Sequence, residues 1–160
     1  MTTRSRGRRL AASVALAGGA IATALLPTTP AHAAYGPDQP VYVQLVSNDG
    51  NATPLARLEG TLAFDSGNTK YRYSLTLCWQ SAYPAPSFRV IVNGTTTNYP
   101  TSTGTTTKSG CQVTTVYNNE VNFGSTVRNV RFDVTGGWFG TNGQYQMRTK
   151  SSSTYDNPYN

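Results

Sequence analysis

The chain has 160 residues, 13 basic and 7 acidic side chains and one histidine, for a formal net charge of +6. Four of the arginines and the histidine fall in the first 33 residues, which leaves nine basic against seven acidic, or +2, in the remainder. No basic cluster survives there, which excludes a nucleic-acid footprint, and without histidine there is no Ser-His-Asp or Cys-His set and no imidazole metal ligand.

Arg4, Arg6, Arg8 and Arg9 form a positive start, and Leu10 to Leu26 is an uncharged apolar stretch. Pro27 and Pro30 break it, and Ala31-His32-Ala33 is a small-x-small site. This order reads as a secretory signal peptide over residues 1–33. A membrane anchor is the alternative, but the stretch is short for a span and Gly18-Gly19 weakens it. The Arg- and Ala-rich leader resembles those of secreted actinomycete proteins. The resemblance covers the leader alone and implies export by a bacterial route.

Residues 34–160 read as a single domain with mobile ends. Ala34 to Gln39 is a loose lead-in, and Val41 to Val46 predicts a first strand. Asn48 to Asn51 is a turn. Arg57 to Phe64 alternates, with Leu58, Gly60, Leu62 and Phe64 on one face, and Asp65 to Asn68 supplies a short hairpin loop. Lys70 to Trp79 is the longest clean strand pattern. Tyr71, Tyr73, Leu75, Leu77 and Trp79 share one face; Cys78 lies on the other with Arg72, Ser74 and Thr76. A tight loop predicts Phe64 opposite Thr69, Leu62 opposite Tyr71, Gly60 opposite Tyr73 and Leu58 opposite Leu75, with Glu59 diagonal to Arg72.

Ser87 to Val92 is the next strand, and Asn93-Gly94 turns it so that Phe88 faces Tyr99. Thr101 to Thr107 is a low-complexity loop. Cys111 to Tyr117 alternates again, and Val127 to Val134 sets Val130, Phe132 and Val134 on one face. Asn142-Gly143 makes a further hairpin, returning through Gln144 to Lys150, before a polar tail from Ser151 to Asn160. No stretch has helical period. The pattern predicts an all-β, two-sheet antiparallel β-sandwich of seven to nine strands with one disulfide.

Cys78 and Cys111 in an exported chain predict that disulfide, placed near a strand end or on an outer face because Cys78 alternates away from Leu77. Asp49 and Asp65 sit in turns, where Asx chemistry accounts for them; calcium is a weaker reading. Glu59 and Glu120 are the candidates by type for a carboxylate pair.

The remaining constellation is aromatic. Gly136-Gly137-Trp138-Phe139-Gly140 puts two large rings beside a turn, with Tyr145 returning. Trp138, Phe139 and Tyr145 are therefore the candidate ligand-binding residues. Trp138 shares parity with Phe132 and Val134, so it faces the core unless the diglycine bulges; Phe139 then faces out, across from Gln146.

The expected function is that of a secreted, extracellular, monomeric, non-catalytic binding module for polysaccharide or protein surfaces. No cofactor, metal, nucleic acid or membrane partner is expected for the domain. A secreted protease or glycosidase inhibitor presenting Ser81 to Pro86 is the alternative, and a carboxylate-dependent hydrolase the third reading.

Overall fold

The computed structural model describes residues 34–160; the predicted leader and its cleavage site lie outside the described residues. Ten strands follow in order: β1 (Gln39–Val46), β2 (Pro54–Phe64), β3 (Lys70–Trp79), β4 (Ser87–Val92), β5 (Thr96–Asn98), β6 (Gly104–Thr106), β7 (Val113–Asn122), β8 (Asn129–Phe139), β9 (Tyr145–Ser151) and β10 (Tyr155–Asp156). Seven run six residues or more, while β5, β6 and β10 are two or three residues long. No helix occurs among the described residues.

The strands form two antiparallel five-stranded sheets. One has the order β1-β2-β3-β7-β6; in the other β8 is central, with β4 and then β5 on one side and β9 and β10 along the other. Alternation decides what each face does. Val41, Val43, Leu45, Leu58, Leu62, Tyr71, Tyr73 and Leu75 point inward from the first sheet. Phe88, Val90, Val92, Val130, Phe132, Val134 and Trp138 meet them from the second. The rings of Tyr73 and Phe132 touch edge to face across the interior, with centroids 6.2 Å apart. This is the predicted sandwich.

Three hairpin registers differ from expectation: the four-residue β2–β3 turn sits one residue further along, and the β4–β5 and β8–β9 loops are each one residue longer than their two-residue signal. In β2–β3, Phe64 pairs with Tyr71, Leu62 with Tyr73, Gly60 with Leu75 and Leu58 with Leu77. The Asp65 carboxylate accepts hydrogen bonds from the backbone amides of Gly67, Thr69 and Lys70 and holds residues 66–69 as the turn. The shift is two residues, so every side chain keeps its face. Glu59 consequently lies opposite Thr76, not diagonal to Arg72, and binds Arg57 and Lys108.

In β4–β5, Val92 pairs with Thr96 across a three-residue loop. Asn93 (φ 54°) and Gly94 (φ 75°) adopt left-handed backbone there. Tyr99 therefore does not face Phe88, and its side chain is exposed. In β8–β9, Gly140 N donates to Gln144 O, leaving residues 141–143 as the loop. Phe139 thus faces Tyr145, and Gln146 faces Trp138.

The Thr101–Thr107 stretch contains β6, which pairs with β7. Both ends of the described chain make hydrogen bonds to the sheets and their loops. Gly36 N donates to Phe64 O, and Ser66 N donates to Ala34 O. The tail is held by buried Asn157, whose Nδ2 donates to Val127 O and Asn68 Oδ1.

Candidate functional site: an aromatic patch at the β8–β9 hairpin

Cys78 and Cys111 form the expected disulfide, with Cα atoms 5.3 Å apart. Cys78 is the penultimate residue of β3, on the outer face and fully buried. The bridge ties β3 to the segment entering β7 and is structural. A disulfide fits an extracellular protein, and no helix of the described residues is long and apolar enough to cross a membrane.

The structure separates the three candidate aromatic residues. Trp138 is 7% exposed and belongs to the core, as its parity predicts; the diglycine before it does not shift the alternation. Phe139 (55% exposed) and Tyr145 (47%) lie outside, with ring centroids 5.8 Å apart at 62°. The Tyr145 ring lies over Gly137, where a Cβ would overlap it.

Two further residues join the patch. Tyr83 (60% exposed) packs on Phe139 with centroids 5.3 Å apart, and Met147 (67%) follows Tyr145 on the same outer face of β9. Tyr83 belongs to the Ser81–Pro86 loop, whose prolines signalled an ordered segment but not its neighbour. Alternation from Tyr145 marks Met147 once β9 is known.

The backbone beneath the rings is fixed. Tyr83 N donates to Gly137 O at 2.7 Å. The amides of Gln80, Ser81 and Ala82 all point at Leu55 O, and Trp79 Nε1 donates to Ala82 O. Shallow depressions flank the rings. One of about 230 Å³ lies toward Ser81 and Trp138, and one of about 90 Å³ toward Pro84 and Met147. The patch can bury apolar surface; among the described residues, no pair of acidic or basic side chains lines its two depressions.

The carboxylates are engaged elsewhere. Asp49 accepts from Ser47 Oγ and the Asn51 amide, and the Ser47 bond is the main reason its carboxyl lies below the usual range. Asp65 holds its own turn through both oxygens. Glu59 and Glu120 stand two strands and four residues of register apart on the outer face. Strand spacing and rise make that roughly 16 Å at the backbone, wider than the roughly 5–10 Å of a glycosidase pair. No group of three or more possible metal ligands occurs among the described residues.

Fold and patch together define a disulfide-stapled, two-sheet all-β domain with a cluster of exposed rings at one hairpin. No protein-family model matches the chain, and neither does any curated protein or solved structure.

Proposed function

We propose that the protein is an exported, non-catalytic binding module that grips a protein surface through Tyr83, Phe139, Tyr145 and Met147. The carrying observation is the mutual packing of three exposed rings on an anchored backbone. Rings held in place lose little side-chain entropy on binding, and Tyr, Phe and Met are enriched at protein interfaces. The ring planes meet at 40° and 62°, so they offer no flat platform for an extended polysaccharide. They suit insertion into pits on a partner, and the flanking depressions suit reciprocal knobs. The leader and the disulfide both support export.

Photo-crosslinking at position 139 in the secreted fraction of the producing cells, followed by titration of the purified captured protein, tests this. Tyr83→Ser and Phe139→Ser should each weaken binding by about 2 kcal/mol or more while the fold stays intact. Equal affinity of wild type and both variants overturns the reading, and so does patch-dependent retention on insoluble polysaccharide instead. An enzyme that loses activity in proportion to bound module would identify the inhibitor form of this proposal, favoured by Tyr83 lying in the Ser81–Pro86 loop.

A further inference from the structure

The opposite face of the molecule carries a second feature. Pairing across β2, β3 and β7 sets Ala63, Arg72 and Glu120 in one outward row and Thr61, Ser74 and Asn118 in the next. Asp38, just before β1, meets Arg72 at 3.5 Å. Asp38, Thr61, Arg72, Ser74, Asn118 and Glu120 line a cleft of about 430 Å³. That lies in the range of small-ligand sites. Gly60, with φ at +147°, leaves the Ser74 carbonyl the space a Cβ would occupy, so β2 and β3 approach closely there.

These side chains retain hydrogen-bonding capacity. Of the seven carboxylates, Asp49, Glu59, Asp65 and Asp133 are engaged by close internal partners. Asp38 and Glu120 make only 3.5 Å ion pairs, with Arg72 and Lys70, among the described residues. Arg72 rests over the Tyr35 ring at 4.5 Å, which fixes the guanidinium without using its donors. The Tyr35 hydroxyl lies near Glu120 but outside hydrogen-bond geometry. Ser74 Oγ donates to Asn118 Oδ1, which leaves the Asn118 amide hydrogens free to donate.

We propose that this cleft binds a neutral oligosaccharide. Each sugar hydroxyl both donates and accepts, and the cleft offers both complements: two carboxylates to accept, a guanidinium and a carboxamide to donate. Its charges cancel, Asp38 against Arg72 and Glu120 against Lys70, so an anion would meet two carboxylates and a cation two positive groups. An apolar guest would strip water from these groups and leave them unpaired. Tyr42, 61% exposed, stands on the next outward row of β1, after Pro40 opposite Thr61. Its ring is placed to take the C–H face of a pyranose.

The test is amide NMR titration of the purified protein with cellohexaose, xylohexaose and laminarihexaose, with oligogalacturonate as the charged comparison. Shifts at residues 38, 61, 72–74 and 118–120 with at least one neutral probe are expected. Asn118→Ala and Tyr42→Ala, both on the solvent face, should each weaken that binding about tenfold without moving the melting midpoint. Phe139→Ser, on the other sheet, should leave it unchanged, which keeps this site separate from the ring patch. Four results would overturn the proposal: no shift with any neutral probe, shifts confined to the patch, tighter binding of oligogalacturonate, or release of new reducing ends.

Discussion

Trp138 and Phe139 are neighbours in β8 and turn to opposite faces of the sheet. The indole packs among the core side chains, and the phenyl ring stands between Tyr83 and Tyr145. One peptide bond therefore separates a stability residue from a surface residue.

Single substitutions should split accordingly. Trp138→Ala removes a buried ring and should cost about 3–5 kcal/mol in urea melts. The indole Nε1 has no hydrogen-bond partner among the described residues, so Trp138→Phe should cost less than half of that. Phe139→Ala should shift stability by less than about 1 kcal/mol. Equal losses at the two positions would contradict the alternation.

Acid sensitivity should centre on Asp133. Its carboxylate is buried and receives Arg89, Arg131 and Ser151. Burial alone would raise its pKa, but the Ser151 and Arg131 hydrogen bonds and the Arg131 charge outweigh that and hold it below the usual range. A lowered folded pKa stabilises above the unfolded value of about 3.9 and is lost as pH falls through the folded one. Asp133→Asn should cost about 2 kcal/mol at pH 7, reduced because both arginines are partly exposed. Melts should show that difference vanishing as the pH drops below about 4.

The strands were legible because period-two alternation is local: Tyr71 to Leu77 and Val130 to Val134 declare their inward faces without knowing their neighbours. The loops were less so. Asp65 moves its four-residue turn one position along by taking three backbone amides, a two-residue slip that keeps every face, whereas Asn-Gly appears in three-residue loops at both Asn93 and Asn142, a one-residue slip that turns Tyr99 outward and sets Tyr145, not Gln146, opposite Phe139. The ring patch was half legible. Phe139 and Tyr145 share one hairpin, whereas Tyr83 arrives from a loop more than fifty residues earlier. The polar cleft was invisible, since Asp38, Arg72 and Glu120 converge only once the β3–β7 pairing and the path into β1 are known.

Alkaline titration should reach the buried tyrosines late. Burial pushes the Tyr73 hydroxyl up to about 12, and burial with the nearby Glu120 moves Tyr35 to about 12 as well. Burial also raises Tyr71. A raised folded pKa gives stability that is complete below the unfolded value near 10 and lost as pH rises through the folded one. Phenolate absorbance from Tyr35 and Tyr73 should appear only toward pH 12, together with unfolding. A single phase centred near 10 would show that Tyr71 and Tyr73 are solvated.

Reducing Cys78–Cys111 should lower stability by about 3–4 kcal/mol on the chain-entropy account of a 33-residue separation. Cys78→Ala with Cys111→Ala should reproduce the loss and leave the circular dichroism unchanged. A loss below about 1 kcal/mol would mean that the unfolded chain already keeps these ends close.

The last prediction concerns Gly137 and Tyr145. Glycine weakens a strand, so Gly137→Ala in open space should gain about 0.5–1 kcal/mol. Here the Tyr145 ring occupies that space, and the new Cβ would drive its far edge off the sheet. The wild-type background should therefore show no gain, because the lost ring–backbone contact offsets it. In a Tyr145→Ala background the same substitution should recover the full gain. A double-mutant cycle in urea should report a coupling of about 1 kcal/mol between the two positions. The displaced ring gives a second readout: Gly137→Ala alone should shift the Phe139 ring-proton resonances, which neighbour Tyr145. Additive stabilities with unmoved resonances would show that the ring does not rest on Gly137, and the rigid-patch argument would lose that support.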